Sequence, residues 1–168
     1  PEGRIEEKTV SEKVGYRELL KSGTVMACGD KVVDYRYVEN FILGLEEKYG
    51  VQIQAIGYDR WNALSTAQKL EAAGYNMVEV RQHSSVLHPP TKLLKEKILS
   101  GDFEYEENKL LEINVQNARC TYDTNKNAYV TKKKSTGKVD MVISLINAVY
   151  LLQQDAFLGQ SDFSIQVF

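Results

Sequence analysis

Two aspartates sit where a carboxylate could do chemistry. Asp59 follows a run rich in Val and Ile by two residues, in Ile56-Gly57-Tyr58-Asp59-Arg60-Trp61, and Asp140 opens a long apolar segment in Gly137-Lys138-Val139-Asp140. Ligands of open α/β sheets gather at the carboxyl ends of strands, and a helix N-terminus favours negative charge. Carboxylates in both places are the hard oxygen donors that a divalent cation such as Mg²⁺ prefers. Each also reads as a helix cap, because Asp before a helix accepts the unpaired N–H groups of its first turn. A second feature lies beside Asp140. From Arg119 to Lys138 the chain carries Arg119, Lys126, Lys132, Lys133, Lys134 and Lys138 against one acid, Asp123. Such an excess suits phosphate contacts, each of which adds affinity and salt dependence, although a solvated hairpin tip would look the same. A carboxylate at the mouth of a helix, reached over a basic hairpin, is a place to hold a divalent cation against a phosphodiester.

Other chemistries find little support. His83 and His88 are isolated in sequence from acids and cysteines, so neither a zinc site nor a nucleophilic triad is indicated. Cys28 and Cys120 stand far apart with no CxxC pairing, which fits a reducing compartment. No G-x-x-x-x-G-K-[ST] loop is present, so nucleotide hydrolysis is not supported.

The elements that must position these residues follow from periodicity. Arg4 to Val10 alternates weakly, in the manner of an edge strand, and Val14 to Lys21 reads as a short helix stopped by Gly23. Asp34 is placed to cap a helix carrying Val38, Phe41, Ile42, Leu45 and Tyr49, with Gly50 as its stop. Val51 to Gly57 predicts a strand, Trp61 to Ala73 a helix closed by Gly74, and Asn76 to Arg81 another strand. This alternation is that of an α/β unit with parallel strands. Pro89 and Pro90 predict a helix start, continued from Thr91 to Leu99, and Lys109 to Ala118 predicts a further helix. Arg119 to Tyr122 and Tyr129 to Lys132 flank a turn-forming segment and predict a β-hairpin. The last helix is expected from Lys138 to Gln154, with Met141, Val142, Leu145, Ile146, Val149 and Leu152 on a wide apolar face.

At 168 residues, 43% of them hydrophobic, the chain is long enough for one substantial core, and a single domain is expected. A formal net charge of −2 places any polyanion binding in a local patch and not in the field of the whole molecule. No stretch approaches the roughly 18 apolar residues of a membrane span and the amino end lacks a signal-peptide core, so a soluble, cytoplasmic protein is expected.

In order along the chain, Gly29-Asp30-Lys31-Val32-Val33-Asp34-Tyr35, Gly57-Tyr58-Asp59-Arg60-Trp61-Asn62-Ala63, Pro90-Thr91-Lys92-Leu93-Leu94-Lys95-Glu96, Asn114-Val115-Gln116-Asn117-Ala118 and Lys132-Lys133-Lys134-Ser135-Thr136-Gly137-Lys138-Val139-Asp140 resemble segments of the nuclease domain of a tailed-bacteriophage terminase large subunit, the DNA-packaging motor protein. The resemblance covers residues 1–155 and leaves 156–168 as a carboxy-terminal tail. It implies a ribonuclease H-like α/β fold, a mixed sheet flanked by helices. It also implies an acidic cluster that binds Mg²⁺ or Mn²⁺, two metals in the intact domain, to cut concatemeric double-stranded DNA. Asp59 matches the family's second catalytic aspartate and Asp140 its third, while Asn117 and Lys138, with Lys132, Lys133 and Lys134, would contact or orient the DNA. Portal protein and the small terminase subunit are the partners implied for the full-length protein.

The family's first catalytic aspartate lies on a first strand, ahead of the region matched here, and the ATPase domain lies further upstream. Glu2, Glu6 and Glu7 match no family motif. A fragment lacking its first strand or strands is therefore expected, weakly active or inactive, with an exposed sheet edge on which a non-native dimer could form. The alternative is a non-catalytic DNA-binding or motor-docking module whose carboxylates only cap helices.

Overall fold

The structure, a computed structural model, describes residues 1–157 and 166–167. A 3-10 turn (Glu2–Arg4) leads into α1 (Ile5–Glu12), α2 (Tyr16–Lys21), α3 (Tyr35–Leu43) and α4 (Leu45–Tyr49). There follow β1 (Ile56–Tyr58), α5 (Arg60–Ala72), β2 (Met77–Glu79), α6 (Ser84–Ser100) and β3 (Glu104–Tyr105). The chain continues with α7 (Lys109–Asn117), β4 (Cys120–Tyr122), β5 (Ala128–Val130), α8 (Asp140–Phe157) and β6 (Gln166–Val167). It divides into two compact units, Pro1–Gln54 with Ala63–Met77, and Ala55–Asn62 with Val78–Phe168.

In the first unit the expected amino-terminal edge strand is a helix. Glu6 and Glu7 lie in the first turn of α1, where acids favour the helix dipole. Arg4 reaches Glu7 at 2.5 Å and Lys8 reaches Glu12 at 2.7 Å, pairings at i,i+3 and i,i+4 that suit helical backbone. The helix expected after Asp34 begins as read, with the Asp34 carboxylate accepting the Arg36 N–H at 3.0 Å. It breaks at Gly44 into α3 and α4, and Gly50, at φ 64°, ends α4. The strand expected from Val51 shrinks to Ile56–Tyr58. One reason is local: the Ile53 N–H donates to the Glu46 carboxylate at 2.7 Å and is unavailable to a ladder. Val14, Leu19, Ala67 and Leu70 form the buried apolar positions of this unit.

The second unit is built on α8. Val80, Leu87, Leu94, Val130, Val139, Val142, Ile146 and Val149 make one buried cluster that draws on α6, β5 and α8. Gly57 lets β1 approach closely: a Cβ there would lie 3.2 Å from a Val80 methyl and 3.3 Å from a Leu151 methyl. The Val80 N–H donates to the Tyr58 carbonyl at 2.8 Å beside β2. Helix α6 starts seven residues ahead of Thr91 and carries Pro89 and Pro90 inside it. Its cap is His83, whose Nδ1 accepts the Ser85 N–H at 3.3 Å. The prolines cannot donate to carbonyls of the preceding turn, yet Leu87, Pro90, Thr91 and Leu94 are buried and hold the helix by packing.

The predicted hairpin forms, with Cys120, Thr121 and Tyr122 of β4 facing Val130, Tyr129 and Ala128 of β5 in antiparallel register. Lys132, Lys133 and Lys134 are not at its tip, as a basic hairpin would have them, but in the turn that follows β5. The architecture is mixed α/β. In place of one mixed sheet, the described strands, each two or three residues long, pair as β1 with β2, β3 with β6 in parallel, and β4 with β5. The expected tail from residue 156 begins within α8, and its residues 158–165 and 168 lie outside the described residues. Among the described residues no helix is long and apolar enough to cross a membrane.

Candidate functional site

The start of α8 is held by two asparagines of α7, one helical turn apart and so on one face. Asn114 is buried; its Oδ1 accepts the Met141 N–H at 3.2 Å, and its Nδ2 donates to the Leu110 carbonyl at 2.8 Å. Both ends of its amide are thus satisfied, and one of the unpaired N–H groups of the first turn of α8 finds an acceptor. Asn117 holds the approach to that turn. Its Nδ2 donates to the Lys138 carbonyl at 3.2 Å, its Oδ1 accepts from the Thr136 hydroxyl at 3.2 Å, and its carbonyl accepts the Thr136 N–H at 3.1 Å. Gly137 leaves room there for the Asn117 amide, whose nitrogen a Cβ would approach to 2.6 Å and displace. Val139, 1% exposed, anchors the same segment in the core, and Asp140 follows at the surface as the first residue of α8.

The lysine turn is shaped by Thr131 and Ser135. The Thr131 carbonyl accepts the Lys134 N–H at 3.2 Å, the Ser135 N–H at 3.1 Å and the Ser135 hydroxyl at 2.8 Å. Ser135 Oγ in turn accepts the Arg119 N–H at 3.2 Å. Out of this turn Lys132 reaches Asp140, with Nζ 2.5 Å from Oδ1, and both side chains remain largely exposed, at 68% and 54%. Lys133 and Lys134 are exposed beside it.

The hairpin before this turn is fastened to α6. Asp123 accepts the Ser84 hydroxyl at 2.6 Å, the Asn127 amide at 2.9 Å, and the N–H groups of Asn125 and Asn127. The hydrogen bond from Ser84, then that from the Asn127 side chain, holds the Asp123 carboxyl well below the usual carboxylate range. His88 Nδ1 accepts the Ala128 N–H at 2.9 Å. Through these contacts α6 fixes β5, from which the lysine turn springs.

Asp59 lies just past β1, half-buried, and its Oδ1 accepts the Trp61 N–H at 3.2 Å at the start of α5. The capping function read from sequence is therefore in use. The structure brings together Asp140 with Lys132, and Asn117 with Lys138, while the hydrogen bond of Asp59 is to the Trp61 N–H two residues on. Asn114, Thr131 and Ser135 do not stand out as site residues in the sequence. The signal for Asn114 is its spacing from Asn117, two amides on one face of a helix that otherwise presents Leu111 to the interior.

A divalent cation can be tested against this donor set. Among the described residues no three or more His, Cys, Asp or Glu side chains are arranged to hold a metal ion. A closed cage is thus not formed by them. Asp59 and Asp140 each use one carboxylate oxygen for a protein partner, which leaves hard oxygen donors of the kind Mg²⁺ takes from one or two carboxylates while keeping most of its waters. The chemistry fits a hydrated cation at Asp140 or Asp59.

Residues 1–155 match the family described as terminase large subunit, endonuclease domain. The large terminase subunit of Enterobacteria phage HK97 is 23% identical over 152 residues, covering 89% of this chain. The chain spans 30% of that relative's length. In fold it is similar to the crystal structure of the HK97 bacteriophage large terminase, with a TM-score of 0.79 at 22% identity over 88% of this chain and 31% of the other.

Proposed function

Because the chain belongs to the family of the terminase large subunit endonuclease domain, we propose that it is a divalent-metal-dependent endonuclease domain with a ribonuclease H-like fold, acting on concatemeric double-stranded DNA during phage genome packaging. The observation that carries this reading is the start of α8, where Asn114 fixes the backbone at Asp140 and the lysine turn stands beside its carboxylate. Asp140 and Asp59 would hold Mg²⁺ or Mn²⁺. Such a cation, when bound, supplies a more acidic water and neutralises charge at the phosphate. Lys132, Lys133, Lys134 and Lys138 would meet the DNA backbone and set its distance from Asp140. Asn117 serves the same end indirectly, by holding the Lys138 carbonyl and Thr136. Partners of this reading are DNA and, in the assembled motor, the portal protein and the small terminase subunit, in the cytoplasm of the bacterial host.

A second reading has its own support: Asp59 caps α5 and Asp140 is paired with Lys132, as in a DNA-binding or motor-docking module without catalysis. Nicking of supercoiled plasmid by this chain in Mg²⁺, Mn²⁺ and EDTA separates the two. The endonuclease reading expects weak nicking in at least one metal and none in EDTA. DNA retention that is indifferent to metal, with no nicking in either cation, would transfer the assignment to the second reading.

A further inference from the structure

Lys132 is placed directly on a candidate cation ligand. Its ammonium lies 2.5 Å from Asp140 Oδ1. It enters from a turn whose backbone is fixed by Thr131 and Ser135, so the contact does not depend on a long mobile loop. An ammonium and a divalent cation are alternatives at the same carboxylate oxygen, and the ammonium is equally suited to a phosphate oxygen. We propose that Lys132 is a resident counter-ion of Asp140 that is exchanged when substrate arrives. The phosphodiester takes up the ammonium, and the carboxylate oxygen it leaves is then open to Mg²⁺ or Mn²⁺.

The proposal rests on reading Asp140 as a cation ligand and adds a coupling between DNA and metal at that residue. The coupling has two consequences. Without DNA, Lys132 lowers the affinity of Asp140 for metal, which biases the domain modestly against loading metal away from its substrate. With DNA, that penalty is removed, and by linkage bound metal must favour DNA by the same factor. The size is bounded by the pair itself. Exposed ion pairs are weak because water and salt screen them, so the expected factor is about twofold to fivefold.

The test is Mn²⁺ binding to the whole chain, followed by the electron paramagnetic resonance signal of free Mn²⁺ at low salt. Wild type, Lys132→Gln, Lys133→Gln and Asp140→Asn are compared with and without a short duplex. Lys133→Gln removes the same charge from the neighbouring position, which makes no ion pair to Asp140. The account expects Lys132→Gln to bind Mn²⁺ about twofold to fivefold more tightly than Lys133→Gln without DNA, and the two to converge when duplex is present. Equal affinities of the two lysine variants without DNA, while Asp140→Asn loses binding, would overturn the counter-ion role and leave the metal-site reading intact. Unchanged binding in Asp140→Asn would overturn both.

Discussion

The two compact units bury their apolar residues to different extents. In the second, Val80, Val139, Ile146 and Val149 are each at most 1% exposed and converge on α8, the helix that begins with Asp140. In the first, Tyr35, Tyr37, Phe41, Leu43 and Tyr49 of α3 and α4 are 40% exposed or more. Ion pairs such as Arg4–Glu7, Arg36–Asp34 and Lys69–Glu39 tie its helices locally. A carboxylate that must be held at a fixed position needs a support with few alternative packings, and interiors packed to crystal-like density supply that. The candidate chemistry therefore sits on the better packed of the two units. Local ion pairs at an exposed surface give a weaker hold.

The largest expected effect probes that contrast. Ile146→Ala should lower the free energy of unfolding by about 2–5 kcal/mol, from lost burial and the cavity left in the α8 core. Phe41→Ala, at a half-exposed position of α3, should cost under about 1 kcal/mol. Urea unfolding of the two variants measures both, and equal losses would remove the distinction between the units.

A smaller effect concerns the joint between α7 and α8. Asn114→Ala strips the Met141 N–H of its acceptor and should cost about 1–3 kcal/mol by thermal or urea unfolding. An unchanged stability would mean that Asp140 is not placed by α7.

The smallest effect is on acid sensitivity. The Asp123 carboxyl is held below its ordinary value by Ser84 and Asn127 when the chain is folded. Its stabilisation is accordingly full above the unfolded value of about 3.9 and declines as pH falls below it towards the lower folded value. Asp123→Asn should therefore show a shallower loss of melting temperature between about pH 5 and pH 3 than the wild type. Parallel acid limbs would show that the hairpin is fastened to α6 by other contacts.

What could be read from the sequence was mostly punctuation. Asp34 and Gly50 bracket a helical stretch as expected, and Asp123 to Asn127 marks the hairpin turn. The errors share a cause, which is that side-chain partners decide between conformations that local pattern leaves close. Arg4–Glu7 and Lys8–Glu12 turn a weak alternation into a helix, and buried packing of Leu87 and Pro90 keeps α6 helical through two prolines. Asp59 and Asp140 could be picked out as acids at element ends. The cap that Asp59 makes could be read as well, but not the partner of Asp140, since Lys132 lies eight residues before it, nor the acceptor of the Met141 N–H, since Asn114 acts from another helix.

The most direct test of the central claim compares Asp140→Asn and Asp59→Asn with wild type in Mn²⁺-dependent plasmid nicking, with melting temperatures recorded on the same samples. Each variant is expected to lose whatever metal-dependent nicking the wild type shows while remaining folded. Wild-type nicking by a folded Asp140→Asn variant would contradict it and place the chemistry away from the start of α8.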